Sequence, residues 1–88
     1  MLKPLADQGL PLPQLLVAQM LGFGGNGISQ DLRMSSKYFE LAAKQGIIQA
    51  QYNIAANYHV GRGVIQDFKL AEFWFGETDY HYFKMTNN

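Results

Sequence analysis

The chain has 88 residues, 48% of them hydrophobic and 16% charged, which makes one globular domain with a modest core and no spare layer for an elaborate active site. Seven Lys and Arg balance seven Asp and Glu with no basic run, so nothing suits a phosphate backbone and no nucleic-acid partner is expected. The absence of cysteine excludes disulfides, thiolate metal sites and cysteine nucleophiles.

In chain order, Leu5-Ala6-Asp7-Gln8-Gly9 reads as the end of a helix, a partial unit over residues 1–9. This start lacks a continuous apolar h-region and carries Asp7, so no signal peptide is expected. A first full helix is expected over 11–23. Its apolar stretch, Leu15 to Phe23, is interrupted by Gln19 and Gly22 and falls far short of the roughly 20 residues that cross a membrane. No membrane partner is expected, and the chain reads as cytoplasmic.

Gly25 and Gly27 mark a turn, and Asp31 stands where an N-cap belongs before a helix over 32–45. Lys44-Gln45-Gly46 closes that helix with a basic residue and a glycine. Ala50, Ile54, Ala55 and Tyr58 recur at helical spacing within a helix over 48–60, which Gly61 and Gly63 end. Asp67 caps a fourth helix from 68 to 76 or beyond, with Leu70 and Trp74 on its buried face. No segment alternates cleanly enough to read as a strand.

The chain repeats itself. A shift of 36 residues lays 22–43 on 58–79, so that Gly25 meets Gly61, Gly27 meets Gly63, Gln30 meets Gln66, Asp31 meets Asp67 and Phe39 meets Phe75. Upstream the offset is 37, where Asp7-Gln8-Gly9 resembles Lys44-Gln45-Gly46; the Pro11–Pro13 region is expected to absorb the extra residue. This gives a single repeat domain over 1–88: repeat one about 10–46, repeat two about 47–83, and a tail over 84–88.

Ala50-Gln51-Tyr52-Asn53-Ile54-Ala55, Tyr58 and Gly61-Arg62-Gly63-Val64-Ile65-Gln66-Asp67 resemble the Sel-one-like repeat, a cousin of the tetratricopeptide repeat, and Leu41-Ala42-Ala43-Lys44-Gln45-Gly46 resembles that family's second-helix ending. The resemblance covers about residues 5–76. It implies an all-α fold, a short α/α solenoid of antiparallel helix pairs, and a role as an adaptor between proteins, often bacterial. Against the family pattern, Gln14, Gln19 and Gly22 replace Ala, a small residue and Tyr in the first copy, which is expected to loosen its first helix. Gly76-Glu77-Thr78-Asp79-Tyr80 replaces the usual ending of the second copy.

Residues with chemical potential fall into structural roles. Gly22-Phe23-Gly24-Gly25-Asn26-Gly27 spells GxGxxG, but a dinucleotide loop needs a strand before it and here a helix precedes. His59 and His81 are 22 residues apart and suggest no ligand set. Ser29, Ser35 and Ser36 lie in no nucleophile elbow. No catalytic residue, metal or cofactor is expected, and the chain is not read as an enzyme.

The expected activity is binding of a protein or peptide by the helical-repeat surface. Residues off the core stripe of the 48–60 helix are Gln49, Asn53, Ala56, Asn57 and Val60. The 36-residue shift carries these to Pro13, Val17, Met20, Leu21 and Gly24 in the first copy, giving a groove apolar at one end, through Val17, Met20 and Leu21, and amide-rich at the other. Tyr80 and Tyr82 join this set as interface aromatics. Gly25, Gly27, Gly61, Gly63, Asp31 and Asp67 are assigned to turns and caps. Two units are few for an array, so a homodimer is a further expectation. A small antagonist that plugs a partner's site is the alternative function.

Overall fold

The computed structural model describes residues 2–87 and consists of five helices: α1 Leu2–Asp7, α2 Pro11–Phe23, α3 Leu32–Lys44, α4 Ile48–Val60 and α5 Phe68–Thr86. Each helix packs on the next along the chain, so α2–α3 and α4–α5 are two antiparallel pairs and α1 leans on the first. The fold is an all-α solenoid of two repeats, with no strand among the described residues. A single bridge between Gly25 and Ile28 closes the α2–α3 loop.

Local chemistry sets the helix ends. Pro11 opens α2, where its missing N–H is no loss. The Asp31 carboxylate accepts from the Met34 amide at 3.1 Å, and Asp67 accepts from the Lys69 and Leu70 amides, both at 3.1 Å. Both residues have extended backbone, as N-caps require. Alanine at either is expected to cost about 1 kcal/mol, with the Asp67 variant the weaker of the two because it strands two amides; urea melts check this. Gly61 caps α4 in the left-handed conformation at φ 78°.

The last helix is longer than the repeat pattern suggests. α3 stops at Lys44 because Gly46 turns the chain at φ 90°. In α5 an isolated Gly76 does not stop the helix, and no glycine or proline follows it. Thr78 Oγ1 donates back to the Trp74 carbonyl at 2.9 Å, and the helix runs to Thr86.

Hydrogen bonds locate the slip between the two copies. Gln14 Nε2 donates to the Ala6 carbonyl at 3.3 Å, and Gln51 Nε2 donates to the Ala43 carbonyl at 3.1 Å, an offset of 37 at both ends. The caps of α2 and α4, Gly24 and Gly61, are also 37 apart, whereas Asp31 and Asp67 are 36 apart. The extra residue therefore lies in the α2–α3 loop, not at Pro11–Pro13, and every residue of α2 matches α4 at 37. Gln14 is then the counterpart of Gln51, Ala18 of Ala55 and Leu21 of Tyr58. The departures expected at Gln14, Gln19 and Gly22 were artefacts of the 36-residue register.

The core runs through all five helices and includes Ala6, Leu15, Val17, Ala18, Tyr38, Phe39, Ile54 and Trp74. Small residues let α2 and α3 approach: Ser35 Oγ donates to the Ala18 carbonyl at 2.6 Å beside Gly22. The Tyr38 hydroxyl donates to Asp7 at 2.6 Å and ties α1 to α3. That bond, helped by Lys3 at 3.2 Å, holds the Asp7 carboxyl below its ordinary pKa.

Candidate functional site

α2 and α4 are the first helices of the two pairs, and neither carries an Asp, Glu, Lys or Arg. The charged side chains lie on α1, α3, α5 and the loops. The two uncharged helices flank a cleft of about 160 Å³ with Ser35 and Phe39 of α3 in its lining. Gln19 and Phe23 border it on the α2 side, and Asn53 and Arg62 on the other. Arg62 Nη2 donates across to the Gly22 carbonyl at 3.0 Å, so the guanidinium also braces the two repeats.

On α2 the exposed residues Leu12, Leu16, Met20 and Phe23 recur at intervals of four, four and three, a single apolar row along one helix face. Phe23 is 84% exposed, the most of any residue in the row. The 37-residue shift carries the row onto Gln49, Asn53, Asn57 and Val60 of α4. Of these Gln49 is exposed, Asn53 half-buried and Asn57 buried, so the face is apolar on α2 and bears amides on α4 only through Gln49 and Asn53.

Of the residues expected from the sequence, Met20, Gln49 and Val60 are exposed here and Asn53 is half-buried. Asn53 Nδ2 is turned back to the Gln49 carbonyl at 2.9 Å. Val17 is a correction. It is only 5% exposed, because its counterpart at the true register is the core residue Ile54. Leu21 is half-buried against the core, as its counterpart Tyr58 is. Asn57 is a second correction: it is buried, and its Nδ2 donates to Ser36 Oγ at 2.9 Å. Leu12, Leu16 and Phe23 were missed, although a 37-residue comparison starting from the Gln49 stripe would have found three of them as counterparts of Gln49, Asn53 and Val60.

Tyr80 and Tyr82 are exposed on the last turns of α5, outside the cleft. Between them His81 meets Gln51, its Nδ1 3.1 Å from Oε1. His59 sets its ring edge-on to Phe68 with centroids 5.4 Å apart. Among the described residues no three His, Asp or Glu side chains converge as metal ligands. Gly22 and Phe23 of the GxGxxG string belong to the last turn of α2, and Gly25 and Gly27 take positive φ in the turn that follows. No helix among the described residues is long and apolar enough to cross a membrane.

A family model described as Sel1 repeat matches residues 14–47 and 48–77. Among solved structures the chain is similar to a Sel1 repeat protein from Oxalobacter formigenes, at 33% identity and a TM-score of 0.84 over 90% of this chain. The chain spans 59% of the length of that protein. No match is found among curated proteins.

Proposed function

The chain belongs to the Sel1 repeat family, and from that premise we propose that it is a cytoplasmic protein-interaction module, a single repeat domain that holds a partner's peptide segment against the face shared by α2 and α4. The observation that carries this reading is the face itself. Two helices without a charged side chain carry it: α2 exposes Leu12, Leu16, Met20 and Phe23 in one row, and α4 presents exposed Gln49 and half-buried Asn53 at the equivalent positions. Such a row exposed on a small protein marks an interaction site. The apolar end suits the non-polar side of a helix or the alternate residues of an extended peptide, and the amide end suits peptide backbone. Binding rather than catalysis is the role assigned.

The test is capture from native lysate by the immobilised chain, comparing wild type with a Leu12→Asp/Leu16→Asp variant and with Lys69→Glu on α5. The two leucines are exposed, so circular dichroism should show both variants folded. Partners that depend on the face should be retained by Lys69→Glu and weakened at least about tenfold by the leucine double variant, a loss of ~1.4 kcal/mol. Equal capture by all three proteins would rule the face out.

A further inference from the structure

The cleft between the two uncharged helices is lined by a single ionisable side chain, that of Arg62. Arg62 follows α4 directly, and its side chain reaches across the cleft, where Nη2 donates to the Gly22 carbonyl at 3.0 Å. That bond fixes the place of the guanidinium without neutralising it. A backbone carbonyl has no net charge, and it takes one N–H of a group that carries several. Among the described residues the ion pair is Lys3–Asp7, and no Asp or Glu comes within ion-pair distance of Arg62.

The groups around the guanidinium suit an anion. Gln19 and Asn53, both half-buried, bring carboxamides from α2 and α4. Asn53 Nδ2 gives one hydrogen to the Gln49 carbonyl at 2.9 Å and has a second to donate. The α3 side of the cleft is made by buried Ser35 and Phe39, so a charge there is screened less than on an open surface.

We propose that Arg62 receives the side-chain carboxylate of an Asp or Glu in the partner segment, so that the α2–α4 face selects segments in which an acidic residue stands next to apolar ones. This rests on the reading of that face as the peptide site. Charge complementarity picks the anion: a face with one unpaired guanidinium attracts a negative group and rejects a Lys or Arg placed there. Size picks a side chain, since a cleft of about 160 Å³ admits a carboxylate side chain and not a helix. A chain terminus is not the source. The face continues on both sides of the cleft, with the apolar row on α2 and Gln49 on α4, so a bound segment crosses the cleft instead of ending in it. Phe23, 84% exposed at the border of the cleft, supplies the apolar contact beside the carboxylate.

The experiment selects random peptides, displayed without a free C-terminus, on the immobilised whole chain. Binders that also bind Leu12→Asp/Leu16→Asp are discarded, which leaves those that depend on the face. The retained peptides should be enriched in Asp or Glu beside apolar residues. The strongest is then made with an amidated C-terminus, together with a twin whose acidic residue is replaced by its amide. Fluorescence anisotropy should show the twin bound about fivefold more weakly by the wild type, a gap that narrows as salt is raised. Arg62→Gln should bind the two peptides alike, and Arg62→Lys, which keeps the charge, should still prefer the acid. Were Arg62 only a brace on Gly22, Arg62→Gln would weaken both peptides equally and leave the gap between them. That result, or a wild type that does not distinguish the two peptides at any salt concentration, would overturn the proposal. Face-dependent peptides without an enriched acidic residue would overturn it while leaving the face as the binding site. A selection that yields no face-dependent peptide would remove the face and the proposal together.

Discussion

Gly63→Ala should lower stability by about 2–5 kcal/mol, from the left-handed backbone together with steric overlap. Gly63 sits at φ 75°, a region an L side chain enters at a cost of about 1–2 kcal/mol per residue. The overlap is the larger part. The new Cβ would stand 2.6 Å from the Leu32 carbonyl carbon and 2.7 Å from Ser36 Oγ. The carbonyl belongs to helical backbone, and Ser36 is held by Asn57 and Arg62, so neither neighbour yields freely. Overpacking of this kind adds about 1–3 kcal/mol. Gly27→Ala is the matched control: its φ is 81°, but nothing lies within 4 Å, leaving only the backbone cost. The two variants should differ by roughly 10 °C in melting temperature for a domain of this size. Equal urea midpoints would show that the α4–α5 loop does not approach α3 as closely as described.

Trp74→Ala should cost about 3–5 kcal/mol, the range for removing a buried aromatic. Trp74 is 6% exposed and joins the core from α5, whose other fully buried residue is Ala71. Because α5 packs chiefly on α4, its attachment rests heavily on this one ring. Repeat arrays respond locally, since each element is stabilised by its neighbours. Hydrogen exchange should therefore accelerate first in residues 68–86, with α2 and α3 remaining protected. Phe73→Ala, one position away but 54% exposed, should have a much smaller effect. Uniform loss of protection along the chain would show that the two repeats unfold as a single unit.

Much of the architecture was legible because it is local. Asp31 and Asp67 before apolar periodicity, and glycines after it, give the ends of α2, α3 and α4 to within a residue, since capping and left-handed turns depend on a few adjacent groups. The end of α5 was not legible. The repeat pattern breaks at Gly76, yet a helix needs a positive reason to stop, and the residues after it supply none. The long row on α2 was hidden by one loop residue. The glycine pairs at 25/61 and 27/63 support a shift of 36, but the helices before them are related by 37, and one residue rotates a helix face by about 100°. That rotation placed Val17 at the surface and left Leu12, Leu16 and Phe23 unnoticed.

By itself, then, the sequence determined the helices, their caps, the two-unit solenoid and the family resemblance, all of which follow from periodicity and short-range hydrogen bonding. Only the tertiary structure decided which side of each helix faces a neighbour. It buried Asn57 against Ser36, pressed Gly63 onto α3 while leaving Gly27 open, and left an apolar groove beside α1. Those outcomes depend on contacts between residues far apart in the chain. Equivalent residues in two repeats can therefore meet different surroundings even when their local sequences agree.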